Sequence, residues 1–272
     1  MPSERPLLTH ERVVAREGDP DRWMAVLHGI YGAGRNWGSV ARRVVAERPE
    51  WGALLVDLRQ HGGSMGFPPP HTLAAASDDL STLFRAEALA VPALLGHSFG
   101  GKVALAHARD AGPSLRQLWI VDSTPEARPP AGSAWEMLRV LRSLPESFAE
   151  RGEGALALER AGLAHPTAQW MATNLVADRQ GSYRWRIDPD EMEALLRDFF
   201  ATDLWDVVED PPGELVLHFV KAEESSVLGE AVCTRIERAG KDGRVHLHRV
   251  AGGHWLNADN PGALVSLLVE NL

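Results

Sequence analysis

The chain holds 272 residues, enough for one large domain with a substantial core. Its formal net charge of −9 argues against a nucleic-acid partner, which would need a basic stripe to neutralise phosphates. A single cysteine, Cys233, excludes an intrachain disulfide, and no apolar run approaches the ~20 residues that span a bilayer.

From the N-terminus, MPSERPLLTHERVV lacks an apolar stretch long enough for a signal peptide, so a cytoplasmic protein is expected, with no membrane partner. RVVAR at 12–16 and RWMAVLH from 22 read as strands, the first at a sheet edge and the second buried, because its centre is continuously apolar. A helix is expected from about Trp37 to Glu47, then a buried strand in WGALLVDLR and a helix in HTLAAASDDLSTLFRAEAL. VPALL supplies a further strand, KVALAHARDAG a helix and LRQLWIVD another strand ending at Asp122. Such alternation predicts a mostly parallel sheet wrapped by helices, with ligands at the carboxyl ends of the strands. Between Pro125 and Pro212 the pattern is helical, with no strand, and the prolines of TPEARPP and EDPPG mark an exit and a return. Then the alternation resumes with ELVLHFV, a helix near 226–239, the strand RVHLHRV and a last helix in PGALVSLLVENL. One domain over 1–272 is expected, its core formed by 1–124 and 213–272 and its helical cap by about 125–212.

Gly96-His97-Ser98-Phe99-Gly100 fits G-x-S-x-G and sits between a predicted strand and a predicted helix, the context of a nucleophile elbow. A serine hydroxyl needs a base within hydrogen-bond reach, and the base needs a group that fixes its tautomer. Among eleven histidines His254 is best placed, in the glycine-containing loop AGGHW after the last predicted strand. Asp122, at a rigid strand end, is preferred as the acid over Glu223 or Glu224 in the KAEESS loop. Developing negative charge on an attacked carbonyl would be met by the backbone amides of Phe99 and of Ile30 in LHGIYGAG. GIYGAG lacks the dinucleotide-loop spacing, in GGKV Val103 stands where a phosphate loop needs Ser or Thr, and Lys102 reads as a solvated helix residue. His246 and His248 share a strand face without further ligands, so neither a metal nor another cofactor is expected. Trp135, Trp170 and Trp185 of the cap are candidates to line an apolar substrate pocket.

With LHGIYGAGRNW, DLRQHGGS, GHSFGGKVA, VDSTP, TNL, YRWRID and GGHW together, the chain resembles the α/β-hydrolase superfamily over nearly its whole length. Within it, the YbfF-type esterases and their mitochondrial abhydrolase relatives are the most similar branch. The resemblance implies an α/β-hydrolase fold with a helical cap after the sixth strand and a triad of Ser98, Asp122 and His254. It further implies that Asp57, Arg59 and His61 shape a loop beside the site. A serine carboxylic-ester hydrolase acting on small-molecule acyl esters or thioesters is therefore expected. Acyl-CoA thioester cleavage, C–C bond hydrolysis and a silent binding protein are the rival readings, and the sequence leaves the oligomeric state open.

Overall fold

A computed structural model describes residues 6–110 and 114–272. The start of the N-terminal segment and the end of the KVALAHARDAG helix, at Ala111 and Gly112, lie outside them.

Continuously apolar runs become the middle of a seven-stranded sheet. Its strands are β1 (His10–Val13), β2 (Arg22–Leu27), β3 (Trp51–Val56), β4 (Ala93–His97), β5 (Gln117–Val121), β9 (Val216–Ala222) and β10 (Val245–Val250), in the spatial order β1-β3-β2-β4-β5-β9-β10. β3 and β4 are buried at every residue, as strands covered on both faces must be. Only β1 runs antiparallel, pairing Val13 with Ala53 and His10 with Val56. It occupies the expected edge, two to three residues before the expected position. Gly52 of β3 is required because a Cβ there would lie 2.6 Å from the Trp23 ring of β2.

Helices cover both faces. α1 (Gly38–Glu47) and α11 (Pro261–Asn271) pack together on one side, over a core that includes Val26, Trp37 and Trp119. α2 (Leu73–Glu87), α3 (Phe99–Asp110) and α9 (Glu230–Ala239) lie on the other. Thr72 caps α2 by accepting from the Ala75 amide, and Ala88 ends it in the left-handed region at φ 51°. Cys233 is buried on α9, its thiol donating to the Leu228 carbonyl.

Between β5 and β9 the chain leaves the sheet through α4 (Ser133–Ser143), α5 (Arg151–Arg160), α6 (His165–Ala172), α7 (Pro189–Ala201) and α8 (Trp205–Glu209). Among the described residues five strands precede this segment, so it follows the fifth strand rather than the sixth, because the N-terminal arm contributes β1 alone. The segment is also not purely helical. β6 (Ser147–Phe148), β7 (Leu175–Ala177) and β8 (Tyr183–Trp185) form a small antiparallel sheet in the order β6-β8-β7. Leu138, Met171 and Leu195 from this segment join the same core as Leu94 and Phe99 of the main body. Polar ties add to it: Tyr31 Oη donates to the Ala134 carbonyl at 2.8 Å, and Asn174 Nδ2 to the Tyr31 carbonyl at 2.9 Å.

Candidate active site

Ser98 stands between the end of β4 and the start of α3, with φ at +52°, a region that non-glycine residues rarely adopt. The turn is that tight because three backbones meet in it. A Cβ on Gly96 would lie 2.2 Å from the Gly100 carbonyl oxygen, and one on Gly100 would lie 2.5 Å from the His28 carbonyl oxygen. The Ser98 amide donates to the Val121 carbonyl at 3.0 Å, which ties the elbow to the end of β5.

Asp122 follows directly on β5 and is also left-handed, at φ +44°, with its amide donating to the Val220 carbonyl. Its fully buried carboxylate accepts from His254 Nδ1 at 2.6 Å through one oxygen and from the Ala222 amide at 3.3 Å through the other. Burial alone would raise this carboxyl, but His254 and the nearby Ser225 hydroxyl outweigh it and hold it below the ordinary aspartate value. Glu223 and Glu224 are exposed, their amides bonded to the Val250 and Gly252 carbonyls.

His254 lies in the loop between β10 and α10 (Leu256–Asp259). With Nδ1 donating to Asp122, its Nε2 is the acceptor, and it lines the same two chambers as Ser98. No hydrogen bond joins Ser98 to His254, although both line the same two chambers. The loop is clamped from beneath by His97 Nε2, which donates to the His254 carbonyl at 2.8 Å, and the two rings lie 4.7 Å apart. Burial, reinforced by His254, pushes His97 down to about 3, so this clamp is neutral. Sequence reading passed over His97, whose role depends on a loop 157 residues away.

Ile30 and Phe99 are buried beside Ser98, and Phe99 opens α3, where the first amides of a helix have no intrahelical acceptor. The Ile30 loop is fixed by His28: Nδ1 donates to the Gly29 carbonyl at 2.7 Å, and Nε2 accepts from the Leu58 amide at 3.0 Å. Asp57 supports it from the other side, accepting from the Gly34 and Gly63 amides, both at 2.7 Å. Arg59 pairs with Asp79 at 2.7 Å, and His61 Nδ1 donates to the Arg59 carbonyl.

Two chambers meet at Ser98. The smaller, about 120 Å³, is walled by Ile30, Met137, Trp170 and Trp255. The larger, about 410 Å³, runs past Ser133, Phe199, Phe200 and Arg128. Beyond Trp170 and Trp255, a third cavity of about 340 Å³ shares their wall. Of the three candidate tryptophans, Trp170 thus faces the site, meeting Trp255 edge-on at 4.5 Å. Trp135 and Trp185 line neither chamber at Ser98; they pack on Phe200 and Phe148.

Lys102 corrects the sequence reading. It is not solvated but buried, its Nζ donating to the carbonyls of Glu126 at 2.8 Å and Phe199 at 2.6 Å, because α7 closes over α3. His246 and His248 stack with His218 against Trp119, and among the described residues no group of three or more metal-ligating side chains could hold an ion.

The model of the Alpha/beta hydrolase family matches residues 25–267. An sn-1-specific diacylglycerol lipase, ABHD11, from Danio rerio is 26% identical over 256 residues, covering 92% of this chain and 78% of that protein. Esterase YbfF from Escherichia coli K12 is 25% identical over 245 residues, 89% of each chain. Among solved structures, a marine microorganism esterase superposes with a TM-score of 0.84 at 24% identity, covering 98% of this chain and 99% of that one.

Proposed function

The chain belongs to the alpha/beta hydrolase family, and from that premise we propose that it hydrolyses small-molecule carboxylic esters with Ser98 as nucleophile, His254 as base and Asp122 as the group that orients it. The observation that carries this reading is the 2.6 Å Asp122 to His254 pair, on a ring that shares both chambers with a serine on a strained turn. Its relatives named as esterase and lipase support the reaction class.

In the first half-reaction His254 Nε2 takes the proton of Ser98 Oγ as the oxygen attacks the ester carbonyl. The carbonyl oxygen gains negative charge and is met by the amides of Ile30 and Phe99, a contribution on the order of 10²–10³ in rate per donor. Asp122 stabilises the imidazolium, which then protonates the departing alcohol. Water attacks the acyl-serine in the second half with the same histidine as base. Residues 125–212 act as the cap, and its wall of Met137 and Trp170 holds an apolar part of the substrate.

The test is labelling with a fluorophosphonate probe and turnover of 4-nitrophenyl esters and acyl-CoAs. Ser98→Ala is expected to abolish labelling and to lower turnover by about 10⁴–10⁶. Ester turnover undiminished in Ser98→Ala would refute the assignment, and no labelling or turnover in the parent would favour a silent scaffold.

A further inference from the structure

The larger chamber holds a charge that the triad does not use. Arg128 lines it together with Ser98, Ser133, Phe200 and Glu224. The guanidinium carbon lies 5.6 Å from the centroid of the Phe200 ring, and the backbone amide donates to the Phe200 carbonyl at 2.8 Å. Its Nε is buried with no hydrogen-bond partner, and among the described residues Arg128 makes no ion pair. Arg59, a fully buried arginine beside the site, is treated differently from the half-buried Arg128: Asp79 and the carbonyls of Pro68 and Pro70 occupy its donors. Buried polar donors in folded proteins are paired almost without exception, and an arginine cannot escape the cost by losing its proton.

Surrounding charges deepen the contrast. Lys102 lies close enough that burial and then Arg128 lower it to about 8, so two cations sit together under the cap. Glu126 is the acid whose field favours the Arg128 charge, yet it forms no ion pair with it. Glu224, on the same chamber wall, is exposed to solvent and screened. A protein of net charge −9 repels anions at long range, so an anionic substrate would need a local cation at its binding site.

We propose that Arg128 is a specificity-determining residue which pairs with a carboxylate or phosphate group carried by the substrate, making anionic esters the preferred ones. The proposal rests on the ester-hydrolase reading above and names its substrate class. Ser133 and the Phe200 ring complete the subsite, one offering a hydroxyl and the other a face for the guanidinium. The planar donor fork suits a carboxylate or phosphate better than a lysine would.

The experiment compares kcat/KM for 4-nitrophenyl hexanoate with that for mono-4-nitrophenyl adipate, whose charge is on the acyl side. A second anionic ester, the hexanoate of 4-hydroxy-3-nitrobenzoate, places it on the leaving group. In Arg128→Met the anionic-to-neutral ratio for at least one of these esters is expected to fall by about 10–100-fold, chiefly through KM, and Arg128→Lys should restore part of it. A ratio unchanged within about twofold for both esters would overturn the proposal. Thermal melts with adipate or inorganic phosphate separate carboxylate from phosphate recognition, since the preferred anion should raise the midpoint of the parent and not of Arg128→Met. They also separate two failures. Stabilisation without turnover of any ester would remove the hydrolase reading and keep the anion site, whereas turnover with neither stabilisation nor a ratio change would remove only the anion site.

Discussion

Ser98 and Asp122 share an uncommon backbone state, at φ +52° and +44°, each at the carboxyl end of one of two neighbouring parallel strands. Non-glycine residues in that region cost roughly 1–3 kcal/mol each, and such strain persists where the surrounding structure over-determines it. Here the determinants are the hydrogen bonds that the Ser98 and Asp122 amides donate to the Val121 and Val220 carbonyls, which hold both side chains at one rim of the sheet. An amide at position 122 would keep this geometry and change the chemistry. Asp122→Asn can donate to Nδ1 and so force the proton onto Nε2, the atom that accepts from Ser98 in the proposed triad. Ester turnover should drop about 10⁴-fold with little change in thermal midpoint. If Asp122→Asn lost less than about tenfold while Glu223→Gln or Glu224→Gln lost far more, the orienting acid would be in the KAEESS loop instead. That Ser98, Asp122 and His254 would lie together at one rim of the sheet was legible in the sequence, because motif, chain order and strand ends all point there. Lys102 and Arg128 were not, since their surroundings come from α7: Lys102 meets the Phe199 carbonyl 97 residues away. No local pattern announces that closure.

At the scale of elements, glycine has opposite meanings in two helices. In α3, Gly100 faces the His28 and Leu27 carbonyl oxygens, where a Cβ would lie at 2.5 and 2.7 Å. Neither oxygen is the end of a flexible side chain, so Gly100→Ala has to push α3 off β2 or distort the Ile30 loop. A loss of about 1–3 kcal/mol is expected, with loss of ester turnover. Gly152, in the first turn of α5, has nothing within 4 Å of its Cβ position. There, Gly152→Ala should gain about 0.5–1 kcal/mol by restricting the unfolded chain and favouring helix. Urea unfolding of both variants checks the pair, and equal effects would show that the contacts around the elbow do not govern its packing. The same scale separates what patterning reveals from what it conceals. β3, β4 and β5 announce themselves as short apolar runs, whereas β6, β7 and β8 hold two or three residues each, below the length at which a period of two is distinguishable. Their pairing is fixed by register, Phe148 with Tyr183 and Leu175 with Trp185, and not by their own sequence.

Across the whole molecule, buried histidines make stability depend on acid. Burial, with any neighbouring histidines reinforcing it, holds His28 at about 4 and His61, His97 and His218 at about 3. These groups brace separate parts of the architecture: His28 and His61 the loops behind the elbow, His97 the loop that carries His254, and His218 the stack on Trp119 between β5 and β10. In the unfolded chain each returns to an ordinary value near 6.5, so the unfolded state binds more protons as pH falls. Their stabilising contribution is therefore complete above pH ~6.5 and is lost progressively as the pH drops towards their folded values. Each group adds a slope of up to about 1.4 kcal/mol per pH unit, and four together would consume a typical stability of about 5–15 kcal/mol within a few units. The contribution of these imidazoles to the urea midpoint should thus change little above about pH 7 and fall steeply between about pH 6 and 4, before carboxylate protonation alone accounts for the loss. His218→Phe keeps a ring against Trp119, removes one titrating group and its bond to His248, and should make the fall shallower. A midpoint that stays level down to about pH 4 would mean that these imidazoles reach protons without unfolding, and that the sheet breathes far more than its close packing allows.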